Sequence, residues 1–423
     1  MPSATTRILL TKGNSQMLLK TLKKHNKTIK NWFVYGVILG IFLNIVGTVL
    51  MIDRFSQIGA YLCIIAVFMC FAYFVIVEET SLQSILMLGF VCIIMLSLLV
   101  TKSVSSKNPE TYRHIVNTAT FLELPILLFC YGKDERKNVL DVIFAVFMFL
   151  AVLYFACSFQ SKYYNPRHGN ALTLGYFDPI ASKGDKVNPN QTAMQAVQCV
   201  LILLCAFVYY KDTKVRVFYL VGVLISVYVV FLAKSRTCLV IVLLTIVLFV
   251  LQGKVKIKRY FVLIAFLVPI FMAGFILFGE SIYENWNFLG ETFDYGRKEI
   301  FEIVFKDVSF ISAFFGNVGY HGFDNNHNAI LTVFANFGLI GFSFLFGFIM
   351  HKMFRVIDDK RQSYQTTAII GMLSLIVHSA MESAAFISTI SYVTIPFFIL
   401  YFIASTTNKK ALKGFEGRAH NLF

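Results

Sequence analysis

Apolar runs about twenty residues long follow one another along this chain, and few folds can accommodate so many. They lie at 32–51, 57–77, 82–101, 114–132, 138–158, 191–210, 215–233, 236–252, 260–278, 328–350, 364–381 and 386–405. Roughly twenty apolar residues cross the hydrocarbon core of a bilayer as a helix. A backbone in lipid has no water to bond, so it must satisfy its own N–H and C=O groups within helices. The spacing therefore predicts an all-α polytopic membrane protein with about twelve transmembrane helices. Composition agrees. The 423 residues are 57% hydrophobic and 14% charged, with a mean hydropathy of +0.70, whereas soluble chains carry roughly 25% charged residues. That balance excludes a soluble enzyme. The 16% aromatic content excludes a disordered chain.

The net charge of +15 would suggest nucleic acid in a soluble protein. Here no arginine–aromatic interleaving supports that reading, and no nucleic-acid partner is expected. Basic residues instead set topology, concentrating on the cytoplasmic side of the spans. With the N-terminus placed inside, 25 of the 38 Lys and Arg residues fall on inner segments, Lys254, Lys256, Lys258 and Arg259 among them. The expected organisation is a basic cytoplasmic tail over 1–31, one transmembrane domain over 32–405 and a cytoplasmic tail over 406–423. The run that starts at Trp32 is long enough to span and reads as an uncleaved anchor. All eight cysteines lie in or beside apolar runs and none forms C-x-x-C. They read as packing residues, with no disulfide framework and no zinc site.

Two outer segments are long, about 160–190 and 279–326. Long loops in a compact bundle are usually functional. Within the second, G-R-K-E-I-F-E-I-V-F (296–305) has the pattern of a short amphipathic helix at the outer interface. Arg236 lies in the short outer turn K-S-R-T (234–237), beside Lys234. A guanidinium held there offers a planar fork to a phosphate, and the bland alternative is an arginine snorkelling to lipid headgroups. Arg297, next to Lys298, opens the amphipathic helix, where a helix N-terminus and a cation would favour an anion; the competing reading is a solvated charged pair. His327, followed by Asn328, begins a span and could take a proton near neutral pH, with His321 a competitor. His378 and Glu382 share a helix face near an outer end. Glu123 lies mid-span, where charge is costly and either functional or paired. The first outer loop holds one acid, Asp53, and no adjacent pair of acids to hold a divalent metal. No metal or other cofactor is expected.

Three segments taken together resemble the O-antigen ligase and O-antigen polymerase superfamily. They are N-P-N-Q-T-A (188–193) entering a span, S-R-T (235–237) before an apolar run, and R-K-E-I-F (297–301) followed by G-N-V-G (316–319), H-N-A-I-L (327–331) and G-L-I-G (338–341). The resemblance covers roughly 188–341 in detail. It implies a polytopic glycosyltransferase of the GT-C type, acting on undecaprenyl-diphosphate-linked glycans at the outer face of the bacterial plasma membrane. It also implies that Arg236, Arg297 and His327 are the catalytic residues, with Lys234, Lys298, Asn328, His321, His378 and Glu382 around the substrate. The S-R-T segment lacks the glycine that often follows the arginine in this family. The chemistry expected is transfer of a growing glycan from its carrier to a sugar hydroxyl of the next lipid-linked repeat, as in making capsule or exopolysaccharide. Arginines would stabilise the departing diphosphate and His327 would take the hydroxyl proton. A chain-length regulator and a flippase are the protein partners this role implies. Transfer to a lipid core, as by a ligase, and transport of the same lipid-linked sugars, as by a flippase, stay open as alternatives.

Overall fold

The computed structural model describes residues 26–49, 137–160, 189–233, 235–252, 309–316, 338–343, 363–379 and 395–404, with isolated positions at 17, 21, 54, 55, 58, 59, 61, 62, 65, 69, 267, 334 and 347. Every regular element among them is a helix, and there is no strand among the described residues. In chain order they are α1 (Asn26–Val49), α2 (Lys137–Gln160), α3 (Pro189–Tyr209), α4 (Thr213–Leu232), α5 (Arg236–Val250), α6 (Phe310–Phe315), α7 (Ser363–Ser379) and α8 (Ile395–Ala404). One of these, α4, is long and apolar enough by itself to cross a membrane; α5 and stretches of α2 and α3 are shorter apolar helices. The runs 82–101 and 114–132 and the segment 296–305 lie outside the described residues, as do all but isolated positions of the runs 57–77 and 260–278.

Local chemistry explains where the helices start. Pro189 opens α3 at the first helical position, where its missing N–H costs nothing. Asp212 caps α4 by accepting from the Lys214 amide at 2.8 Å. α1 begins at Asn26, six residues before the apolar run. Nothing in N-K-T-I-K-N breaks a helix, so the polar residues extend the span by more than a turn.

The helices pack around α3. It contacts α2, α4, α5, α7 and α8, and every residue from Ala193 to Ala206 is buried. Side-chain contacts fix the helix directions. At one end of the bundle the Tyr210 hydroxyl donates to Asp141 at 2.5 Å, the Gln365 amide donates to the Ala404 carbonyl at 3.3 Å, and Tyr209 meets Tyr364 edge to face. At the other, Cys238 meets His378. Neighbours in sequence thus alternate in direction. The first end is a cluster of rings, with Phe144, Tyr209, Tyr210 and Tyr219 in mutual contact and Tyr210 stacked on Tyr219 at 5.2 Å. Exposed Lys211, Lys214 and Arg216 flank it, Arg216 lying 4.6 Å over the Phe207 ring.

The outward faces of α4 and α5 are as apolar as the core. Past its charged first turn, α4 exposes Val217, Phe218, Val221, Leu224, Tyr228 and Phe231, while the buried residues include Gly222 and Ser226. On α5 Val240, Leu243, Val247 and Val250 face outward, while Cys238 and Thr245 are buried. Continuous stripes of large exposed apolar residues are rare on soluble monomers. Small and polar residues at the helix contacts are what lipid selects, because lipid gives no reward for hiding a leucine. Gly222 shows the close packing: a Cβ there would overlap Met148 Sδ and lie 2.9 Å from a Leu203 methyl.

The apolar run 328–350 is not one uninterrupted helix. Gly338, with φ of 64°, is in the left-handed region and buried. A Cβ on it would overlap the Phe314 backbone and lie 2.5 Å from the Gly316 nitrogen. Gly316 is buried too and has φ of 79°. Gly316 and Gly338 therefore meet, backbone against backbone. A hydropathy pattern carries no information about φ, so the break was not legible there. Gly338→Ala is expected to lower stability by at least about 1–2 kcal/mol from the left-handed penalty alone, with the backbone overlap adding to it. Gly347→Ala, where a Cβ would meet nothing within 4 Å, is expected to be neutral or slightly stabilising. Unfolding in detergent, compared for the two variants, checks this.

Candidate functional site

The end of the bundle opposite the tyrosine cluster carries the sequence-predicted residues that fall within the described structure. The turn between α4 and α5 is short, from Ala233 to Ser235, and Arg236 is the first residue of α5. Its side chain is exposed, whereas Ser235 before it is buried. Ser235 holds the extended conformation of a cap, with φ of −79° and ψ of 107°, but its side chain makes no capping hydrogen bond. The caps of α4 and α6 both do. The first N–H groups of a helix have no partner within the helix. At α5 they are left without a side-chain cap beside a guanidinium, and both favour an anion.

His378 lies one residue before the end of α7 and is 1% exposed. Its Nε2 is 3.6 Å from the Cys238 Sγ. Cys238 is two residues beyond Arg236, so His378 ties the end of α7 to the start of α5. This contact opens a polar seam along the two helices. One turn or two further on, the hydroxyls of Thr245 and Ser374 meet at 2.8 Å, each also within reach of a carbonyl of its own helix. Beyond them Thr367 donates to Gln252 Oε1 at 3.3 Å. On α5 Cys238 and Thr245 are one heptad apart, the spacing that keeps one face on one partner, and Gln252 follows in the turn just past the helix end.

Gln195 and Gln198 are a second buried polar pair, on α3. Their spacing of three places the two on one helix face. Gln195 is 3% exposed and its Oε1 has no hydrogen-bond partner among the described residues. Leu201 lies against Gly371 of α7. Counting outward from that contact at the helical rise puts Gln195 about 9 Å along and His378 about 10 Å along, at one level. An unsatisfied buried acceptor costs roughly 1–3 kcal/mol.

Of the residues singled out in the sequence, the structure describes Arg236 and His378 and joins His378 to Cys238, two residues beyond Arg236. Lys234, Arg297, Lys298, His321, His327, Asn328 and Glu382 lie outside the described residues, as does Glu123. Reading the cysteines as packing residues suits Cys199 and Cys205, both fully buried, the latter donating to its own helix at the Leu201 carbonyl. It missed the partner of Cys238. The heptad spacing of Cys238, Thr245 and Gln252 and the glutamine pair were the signals available. Among the described residues no group of three or more His, Cys, Asp or Glu could hold a metal ion.

The seam makes a quantitative expectation. Side-chain hydrogen bonds between helices in lipid average about 0.6 kcal/mol and reach about 1.7. A double-mutant cycle of Thr245→Val and Ser374→Ala, read from unfolding in mixed micelles, should give a coupling in that range; additivity would mean the hydroxyls do not act together.

Comparison with protein-family models, with curated proteins and with solved structures finds no match.

Proposed function

We propose that the chain is a multi-pass glycosyltransferase of the bacterial plasma membrane, a surface-polysaccharide polymerase with about twelve spans and both termini in the cytoplasm. The observation that carries this reading is the exposed Arg236 at an uncapped helix start, on the rim of a bundle whose outward faces are apolar. A lipid-linked diphosphate fits that setting. Its polyprenyl tail belongs beside the apolar faces and its phosphates at the rim. Exposed Lys211, Lys214 and Arg216 at the opposite end match the cytoplasmic side under the charge rule, which puts Arg236 outside.

The reaction balances without a further reactant. The bond between the donor's anomeric carbon and its phosphate oxygen breaks. A bond forms between that carbon and the acceptor's hydroxyl oxygen. The hydroxyl proton passes to neutral His327, and the polyprenyl diphosphate leaves with the electron pair. Attack opposite the leaving group inverts the anomeric centre. Arg236 and Arg297 bind the diphosphate most strongly as its charge grows, which lowers the barrier instead of merely tightening binding. Lys234 and Lys298 add to that field. Asn328 and His321 offer hydrogen bonds to the sugars. The unsatisfied Gln195 Oε1 is an acceptor at the same level of the bundle. Buried against Cys238, His378 works by holding the start of α5, and Glu382, four residues on in sequence, belongs to the same substrate-binding group.

Surface glycan resolved on gels tests the reading in the native host. Arg236→Ala should cut polymer yield by about 10²-fold, the scale of one lost charge-stabilising donor. Arg236→Lys should fall well short of full activity, because an ammonium lacks the two-pronged fork. His327→Ala should leave single repeats. Normal polymer from Arg236→Lys and His327→Ala at normal protein levels would refute the roles. Long unattached chains on loss of the protein would mean a ligase.

A further inference from the structure

Residues 309–316 fall within a stretch that the charge count assigns to the outer side, yet their packing ties them to the middle of a span. The C-terminal end of α6 lies with its backbone against Gly338, and both Gly316 and Gly338 are buried. Gly338 is near the centre of the apolar run 328–350, and residues 338–343 are helical from it. A run of that length, although interrupted at Gly338, holds enough apolar residues to cover the hydrocarbon thickness of about 30 Å, which puts its centre about 15 Å from either headgroup layer. The six residues of α6 rise only about 9 Å. Fixed at mid-depth by one end, the helix is too short to leave the apolar layer in either direction.

Two further observations suit that depth. Phe310 is 80% exposed and Ile311 60%, with Phe315 exposed as well. Three large apolar residues facing outward on one short helix are costly in water and at home in lipid. The helix also satisfies its own first turn. Ser309 Oγ accepts from the Ser312 amide at 3.1 Å, and Ser312 Oγ accepts from the Ser309 amide at 2.8 Å and reaches the Ser309 carbonyl at 3.0 Å. In water such groups can bond to solvent. In hydrocarbon they cannot, and irregular backbone survives at that depth only where it is paired or buried in protein.

We infer that residues 309–316 form a re-entrant segment embedded in the bilayer, with Phe310, Ile311 and Phe315 against lipid acyl chains. The inference rests on the membrane-spanning reading and is independent of the glycan chemistry. The test uses the full chain, with Trp32 and Trp286 replaced by Phe, reconstituted in phosphatidylcholine vesicles with or without brominated acyl chains. Phe310→Trp and, separately, Phe315→Trp report on α6. Phe218→Trp, on the exposed face of α4, is the control for lipid contact. Expected is blue-shifted emission from both α6 probes, quenched by brominated lipid at least half as strongly as the control and little affected by aqueous acrylamide. If the control is quenched by brominated lipid while the α6 probes respond only to acrylamide, or to neither quencher, the inference is overturned. An unquenched control would overturn it together with the membrane reading.

Discussion

Three polar contacts hold α5 against α7: thiol to imidazole at Cys238 and His378, hydroxyl to hydroxyl at Thr245 and Ser374, and hydroxyl to amide at Thr367 and Gln252. In lipid these are the interactions that distinguish one helix pairing from another, since apolar side chains gain nothing by meeting each other rather than acyl chains. At about 0.6 kcal/mol each they contribute roughly 2 kcal/mol. That is modest for stability and decisive for register. A slip of one turn along α5 would leave polar atoms unpaired in hydrocarbon, each at a cost of several kcal/mol.

The register set by the seam places Arg236. The guanidinium is two residues from the outermost contact and rides on a helix whose position α3 and α7 both fix. The turn before it spans only Ala233 to Ser235, so the side chain has little latitude along the bundle axis. A cation located by packed helices, beside backbone donors that no side chain caps, is preorganised for negative charge. That is the property a transferase acting on a diphosphate needs, because donors already in place spend nothing on rearrangement as charge develops.

How much of this was legible in the sequence depends on what each feature is made of. Helices built from continuous apolar runs were readable to within a few residues: 215–233 against Thr213–Leu232, and 364–381 against Ser363–Ser379. Hydropathy is blind to the rest. It does not see that N-K-T-I-K-N continues a helix, because propensity rather than apolarity decides there. It passes over Gly338, where a positive φ and a backbone crossing interrupt an apolar stretch. Of the candidate site, Arg236 was readable from a tight turn between two spans. The role of Cys238 was not, because its partner lies 140 residues away and neither residue alone differs from a packing side chain. The Gln195 and Gln198 pair was in plain sight as polar residues on a buried helix, and periodicity analysis of polar residues rather than apolar ones would have found it.

The account stands on a guanidinium at the rim that acts on a lipid-linked diphosphate. The most direct measurement is chain extension by the purified protein in vesicles, supplied with a synthetic undecaprenyl-diphosphate repeat in metal-free buffer. Glycan that lengthens with the wild-type chain and stops lengthening with Arg236→Ala, while polyprenyl diphosphate accumulates in step, is the predicted result. Movement of the repeat across the vesicle without extension, or extension unchanged by Arg236→Ala, would contradict it.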